Sequence, residues 1–135
     1  MRLVVDTNVI VSGLLNRLGK PGRIVNSILD GTIQVIYSTG ILQEYRDVLA
    51  RPKFQFQPQE ITALLDVVAH NGELIASVPP MPSIRFPDPP DSVFFLVAAA
   101  ARCPLVTGNL KHFPKNSGVD LVSPADLHGR MTSPR

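Results

Sequence analysis

Short apolar runs alternate along this chain with longer segments of helical periodicity. The runs at residues 3–5, 33–37, 105–106 and 119–122 are rich in Val, Ile and Leu, which is typical of buried strands, and residues 73–78 fit an edge strand. Helical patterns cover residues 9–15, 23–29, 39–50, 58–71 and 91–102, with a short helical turn after Pro124. This alternation predicts an α/β fold with a mostly parallel sheet and helices on both faces.

Proline, glycine and small hydroxyl residues predict where these helices begin and end. Pro21 and Gly22 are expected to break the chain before the second helix, and Ser38 or Thr39 to cap the third. The proline-rich stretch at residues 79–90 cannot lie inside a helix and is expected to form a rigid loop.

Length and composition predict one globular domain, residues 1–128, followed by a loose tail at 129–135. The chain has 135 residues, 44% of them hydrophobic and 18% charged, and no apolar run approaches the ~20 residues of a membrane span. A single cysteine excludes an internal disulfide or a cysteine zinc cluster, and the amino terminus lacks a signal-peptide pattern. We therefore expect a cytoplasmic protein with no membrane association.

Two groups of polar residues directly follow predicted strands. Asp6 ends the first apolar run, and Thr107, Gly108 and Asn109 follow the run at residues 105–106. Open parallel sheets bind their ligands at the carboxyl ends of the strands, so these side chains are site candidates. A simpler role is also open, because both Asp6 and Asn109 are common helix-capping residue types.

Further acidic candidates lie at two predicted helices. Glu44 borders the buried face of the third helix, which starts right after a strand, although such a position is commonly only a solvated flank. Asp88 and Asp91 lie in the sequence Asp-Pro-Pro-Asp before the very apolar fifth helix. One aspartate there can be explained as a cap, but two in a proline-stiffened loop suit a site with strict geometry.

If these segments converge, their oxygen atoms form a cluster that a hard divalent cation would stabilise. Carboxylate and amide oxygens are the usual ligands of Mg²⁺ and Mn²⁺, and such a centre serves phosphodiester hydrolysis. The net charge of +2 is weak evidence for nucleic acid, although Arg51, Lys53 and Lys111 lie in or near the same segments. Each of these bases could equally be ordinary surface charge.

Four segments resemble PIN-domain ribonucleases, most closely the VapC-like toxins of bacterial toxin-antitoxin systems. They are VVDTNVIVS (residues 4–12), LQEY leading to VLARPKF (42–54), DPPDSVF (88–94) and VTGNLKHFP (106–114), and the similarity extends to SPADL (123–127). The resemblance implies a three-layer α/β/α fold and a magnesium- or manganese-dependent endoribonuclease. It also implies a homodimer that is silenced by a small antitoxin protein.

By position in these motifs, Asp6, Glu44 and Asp91 match the family's first three acids. The fourth falls at Asn109, which keeps an oxygen ligand but loses a charge, and Asp88 is the candidate to compensate for it. Thr107 matches a hydroxyl position that orients water or metal, and we assign Asn8 to the same orienting role.

Two other functions remain open at this stage. The chain could be a PIN fold that has lost catalysis and serves as an RNA- or protein-binding module, an idea that Asn109 supports. It could also be a phosphotransfer fold of haloacid-dehalogenase or receiver type, which likewise places an aspartate after the first strand. Those folds require a second acid beside the first or a closing lysine, whereas Asp6 is followed by Thr7 and Asn8.

Overall fold

Five short parallel strands form one sheet at the centre of the protein. The computed structural model describes residues 1–81, 86, 92–114 and 118–132. Within these residues the elements are β1 (Arg2–Val5), α1 (Thr7–Leu15), α2 (Lys20–Leu29), β2 (Gln34–Tyr37), α3 (Thr39–Leu49), α4 (Pro58–Asn71), β3 (Glu73–Leu74), α5 (Ser92–Ala101), β4 (Leu105–Val106), β5 (Leu121–Val122) and α6 (Pro124–Thr132). Two 3₁₀ turns, Pro52–Phe54 and Leu110–His112, follow α3 and β4.

The strand order is β3-β2-β1-β4-β5, and every neighbouring pair is parallel. Helix α5 packs against β1, β2 and β4, α4 packs on β2, and α2 contacts α1, α4 and α6. Strand β1 is covered on both faces, so Leu3, Val4 and Val5 are fully buried. The predicted three-layer α/β/α fold with a parallel sheet is confirmed.

The order of the elements agrees with the sequence-based prediction, but several boundaries do not. The edge strand predicted at residues 73–78 comprises only Glu73–Leu74, and the run at 119–122 forms a strand only at Leu121–Val122. The predicted start of α2 is also wrong. Pro21 and Gly22 do not precede this helix; they lie in its first turn, where a proline removes no intrahelical hydrogen bond. Gly22 allows a close approach of two backbone segments, since a Cβ there would lie 2.3 Å from the carbonyl oxygen of Arg17. The breaker interpretation was therefore wrong for this pair.

The carboxyl-terminal end is more regular than expected. Helix α6 runs to Thr132, so residues 129–132 of the predicted tail are helical. Arg130 forms an ion pair with Asp120 (2.6 Å), and Met131 packs against the core. Residues 133–135 lie outside the described part of the chain. None of the described helices has the length and hydropathy needed to cross a bilayer.

Candidate active site

The strand order creates a point where the chain changes direction across the sheet. From β1, the chain proceeds through β2 to β3 on one side, and β4 and β5 lie on the other side of β1. Helices that connect strands in opposite directions diverge at such a point and leave a crevice at the carboxyl ends of the strands. Asp6 and Thr107 are the first residues after β1 and β4, so both stand at this crevice.

Asp6 and Thr107 form a buried pair across these two strands. Val5 is in register with Val106, which brings the next residue of each strand together. The Thr107 hydroxyl donates to Oδ2 of Asp6 at 2.8 Å, and the two residues are 0% and 2% exposed, respectively. Asp6 occupies the position before α1, but its side chain makes no capping hydrogen bond there. Helix capping therefore does not explain this carboxylate.

A second hydroxyl and carboxylate pair joins α1 to α3. Thr7 is buried at the start of α1, and its hydroxyl donates to Oε2 of Glu44 at 2.5 Å. Glu44 is half-buried on α3, beside the face on which Ile41, Tyr45 and Leu49 are buried. Ser38 fixes the start of this helix, since its side chain accepts a hydrogen bond from the backbone N–H of Ile41 (3.2 Å). The helix thus directs Glu44 towards the residue that follows Asp6.

Tyr45 is a polar residue of this region to which the sequence patterns assigned no functional role. Its hydroxyl donates to the carbonyl oxygen of Val5, the residue before Asp6, and its ring stacks on Phe94 of α5. Burial raises the pKa of Tyr45 well above its usual value, and the negative charges of Asp6 and Glu44 raise it further. Both carboxylates therefore lie near the Tyr45 hydroxyl, which stays protonated. The signal in the sequence was a hydroxyl group inside an otherwise apolar helix face.

Asn109 and Asn8 lie beside the buried pair. The backbone N–H of Asn109 donates to the Thr107 hydroxyl at 3.0 Å, so this hydroxyl bridges Asn109 and Asp6. The Asn109 side chain does not cap the following 3₁₀ turn, although it precedes that turn. Asn8 is exposed, and both asparagines line a groove at this edge of the sheet.

Two predicted site residues, Asp88 and Asp91, lie outside the described residues. The residues brought together in the described part are Asp6, Thr7, Glu44, Thr107 and Asn109. Among described residues, no three His, Cys, Asp or Glu side chains are grouped in a way that could hold a metal ion. The roles assigned to the acids thus remain predictions.

The sequence matches a known protein family. The profile of the PIN domain family matches residues 2–111, which is most of the chain and includes Asp6, Glu44, Thr107 and Asn109. PIN domains are generally nucleases, and they typically use divalent metal ions. No curated protein matches the sequence. The family match and the parallel five-stranded sheet together show that the chain belongs to the PIN domain family.

Proposed function

We propose that this protein is a metal-dependent endoribonuclease that hydrolyses RNA phosphodiester bonds. The observation that carries the proposal is the Asp6 carboxylate, which is 2% exposed at the direction change of the sheet. Burying an ionised carboxylate is costly, and proteins commonly accept this cost where the group has a function. Glu44 is hydrogen-bonded to Thr7, the residue after Asp6, so two acids from different elements lie near the carboxyl end of β1.

The donor groups in this crevice suit a hard divalent cation. They are the carboxylate oxygens of Asp6 and Glu44 and the hydroxyl of Thr107. Asn109, which carries a side-chain amide oxygen, lines the adjoining groove, and none of these groups contains sulfur. Mg²⁺ and Mn²⁺ prefer such oxygen ligands. Because the described residues bring only two carboxylates together here, we also assign Asp91 as a ligand and Asp88 as the substitute for the missing fourth acid.

The hydroxyl groups hold the two acids in defined positions. Thr107 has one proton, which it donates to Asp6, and it accepts the Asn109 N–H on its oxygen; its rotation is therefore fixed. The Thr7 hydroxyl likewise donates its proton to Glu44. A metal ion bound by these acids would polarise the phosphate and lower the pKa of an attacking water. The proposed role of the acids is to bind and orient the ion, which requires precise placement of their oxygen atoms.

We further propose that the protein is a toxin of a toxin-antitoxin pair, acting in the cytoplasm as a homodimer. This proposal is supported by the similarity of the four sequence segments to VapC-like proteins, and its partner would be a small antitoxin. Expression of the chain alone should then arrest growth. Growth should be restored by Glu44→Gln or by the product of a small adjoining gene.

The direct test is cleavage of a mixed RNA pool by the purified full chain. We expect cleavage with Mg²⁺ or Mn²⁺, no cleavage with excess chelator, and a defined set of ends when the products are mapped. Glu44→Gln and Asp91→Asn should be inactive, whereas Glu60→Gln, an acid on α4 outside the site, should cleave normally. Metal-independent cleavage would contradict the mechanism. RNA binding without any cleavage would instead indicate a catalytically inactive binding module.

A further inference from the structure

The sequence segment Arg51-Pro52-Lys53-Phe54 has no part in the carboxylate site, yet it lies close to it. Its last three residues form the 3₁₀ turn after α3, and Phe54 lines the same groove as Asn8 and Asn109. We propose that this groove binds one nucleobase of the RNA substrate beside the bond that is cut, with Phe54 as its stacking partner. This inference rests on the proposed function, because it assumes that RNA reaches the crevice.

The groove is contiguous with the candidate site. Asn109 contributes to both, since its backbone N–H binds the Thr107 hydroxyl while the residue also lines the groove. Asn8, which also lines the groove, directly follows Thr7, the partner of Glu44. A nucleotide whose phosphate lies at Asp6 and Glu44 can therefore place a neighbouring base in the groove.

The size and lining of the groove suit a planar base. Its volume is about 460 Å³, within the range of about 300–1,000 Å³ found for small-molecule sites. Val9, Val11 and Phe54 supply apolar walls, while Asn8, Ser12 and Asn109 supply polar groups. Asparagine amides can both donate and accept, as the hydrogen-bonding edge of an unpaired base requires. Single-stranded RNA is commonly bound through this combination of stacking and edge contacts.

The backbone around Phe54 is in an uncommon conformation. Gln55 has φ 56°, in the left-handed region that residues with a Cβ disfavour. This residue separates Phe54 from Phe56, and the two rings stack with centroids 5.5 Å apart. Both rings remain partly exposed. The turn therefore holds an aromatic pair at the surface, and its Phe54 member lines the groove.

A positive charge accompanies the aromatic group. Lys53 is exposed, and its Nζ lies 5.1 Å from the centroid of the Phe54 ring. A lysine in this position can contact the phosphate attached to a base that occupies the groove. Aromatic surface next to a cation is the common arrangement of proteins that bind single-stranded nucleic acid.

The test measures RNA binding without cleavage. In the Glu44→Gln background with Mg²⁺, fluorescence anisotropy gives the Kd for ten-nucleotide oligouridylate, oligoadenylate and an abasic ribose-phosphate oligomer of equal length. Phe54→Leu should weaken binding of at least one base-containing RNA about 10-fold and change binding of the abasic oligomer less than twofold. Phe54→Tyr, which keeps an aromatic ring, should retain the affinity and also shows whether loss of binding reflects misfolding.

Phe56→Leu is the matched control, because Phe56 belongs to the same stacked pair and is not among the groove-lining residues. We expect its effect to be at least fivefold smaller than that of Phe54→Leu. Equal effects of the two variants, equal effects on the abasic oligomer, or no binding of either base-containing RNA would overturn the proposal. Cleavage is measured separately. If the protein cleaves RNA but Phe54→Leu leaves RNA binding unchanged, only the proposal about the groove is rejected. Base-dependent binding without cleavage rejects only the nuclease.

Discussion

Thr107 donates a hydrogen bond to Asp6, although the two residues lie 101 positions apart in the chain. The contact exists because β1 and β4 are neighbours in the sheet although most of the chain separates them in sequence. The Asp6 carboxylate accepts this hydrogen bond and makes no capping hydrogen bond to α1. The same hydroxyl also accepts the Asn109 N–H, so one threonine connects two predicted site residues.

Replacing Thr107 with Val should therefore cost both stability and activity. Val keeps the shape but removes the partner of Asp6 and of the Asn109 N–H, and the expected loss is about 1–3 kcal/mol in the free energy of unfolding. Urea unfolding measures this change, and the cleavage assay measures the loss of activity. Thr107→Ser is the control: it loses a buried methyl group and some stability, but it keeps the hydroxyl and should keep cleavage. Equal cleavage by the Val and Ser variants would show that the hydroxyl does not orient Asp6 for catalysis.

Glu44→Gln tests whether Glu44 is a functional acid or only a solvated residue at the edge of the buried helix face. The amide oxygen can still accept the Thr7 hydrogen bond, so stability should change by less than ~0.5 kcal/mol. Cleavage should fall by orders of magnitude, because a full charge is lost from the proposed metal site. The losses in Asp6→Asn, Glu44→Gln and Asp91→Asn should not add, since the residues would act as a unit. Near-normal cleavage by folded Glu44→Gln protein contradicts the proposed cluster.

Divalent metal should stabilise the folded protein. A ligand that binds only the native state stabilises it by about 2.7 kcal/mol at 100 times its Kd. Thermal melts with increasing Mg²⁺ or Mn²⁺ should show a rising Tm, and Glu44→Gln should reduce the shift. Potassium chloride at equal ionic strength controls for screening by salt. A Tm that responds equally in the parent and in Glu44→Gln would place metal binding elsewhere.

Asn109→Asp tests the residue that departs from the family pattern. If Asn109 is a ligand, the added charge should tighten metal binding in a calorimetric titration. The structure removes one competing explanation, since the Asn109 side chain does not cap the 3₁₀ turn. Equal metal affinity of the two proteins would exclude Asn109 from the metal site.

Tyr45 should make stability depend on pH in the alkaline range. Its pKa is raised in the folded protein by burial first and then by the charges of Asp6 and Glu44. The unfolded chain therefore loses this proton first, at its ordinary pKa of about 10, and the folded state is progressively destabilised above that pH. Urea unfolding measures the free energy of unfolding between pH 8 and 11. This free energy should fall with pH more steeply in the parent than in Tyr45→Phe, by up to about 1.4 kcal/mol per pH unit. Parallel curves would contradict the raised pKa.

Much of the fold follows from local sequence patterns. Apolar β-branched runs and helical periodicity predicted the parallel sheet, and Ser38 and Pro58 correctly predicted the starts of α3 and α4. Predicted boundaries were wrong where the same residue type can either end a helix or begin one. Pro21 ends a helix in one context and opens it in another, and only the packing of Gly22 against the Arg17 backbone decides between them.

The candidate site was likewise predictable from the sequence only in part. Local sequence patterns predicted Asp6, Glu44, Thr107 and Asn109 as candidates, because polar residues after strands and beside a buried helix face are visible locally. It could not decide between capping and function, since both use the same residue types at the same positions. Strand β4 lies beside β1 only after the chain has folded, and this pairing allows Thr107 to bind Asp6. Folding also brings Thr7 to Glu44 and the Tyr45 hydroxyl to the carbonyl of Val5. These contacts join distant segments, and their geometry depends on the packing of the whole chain.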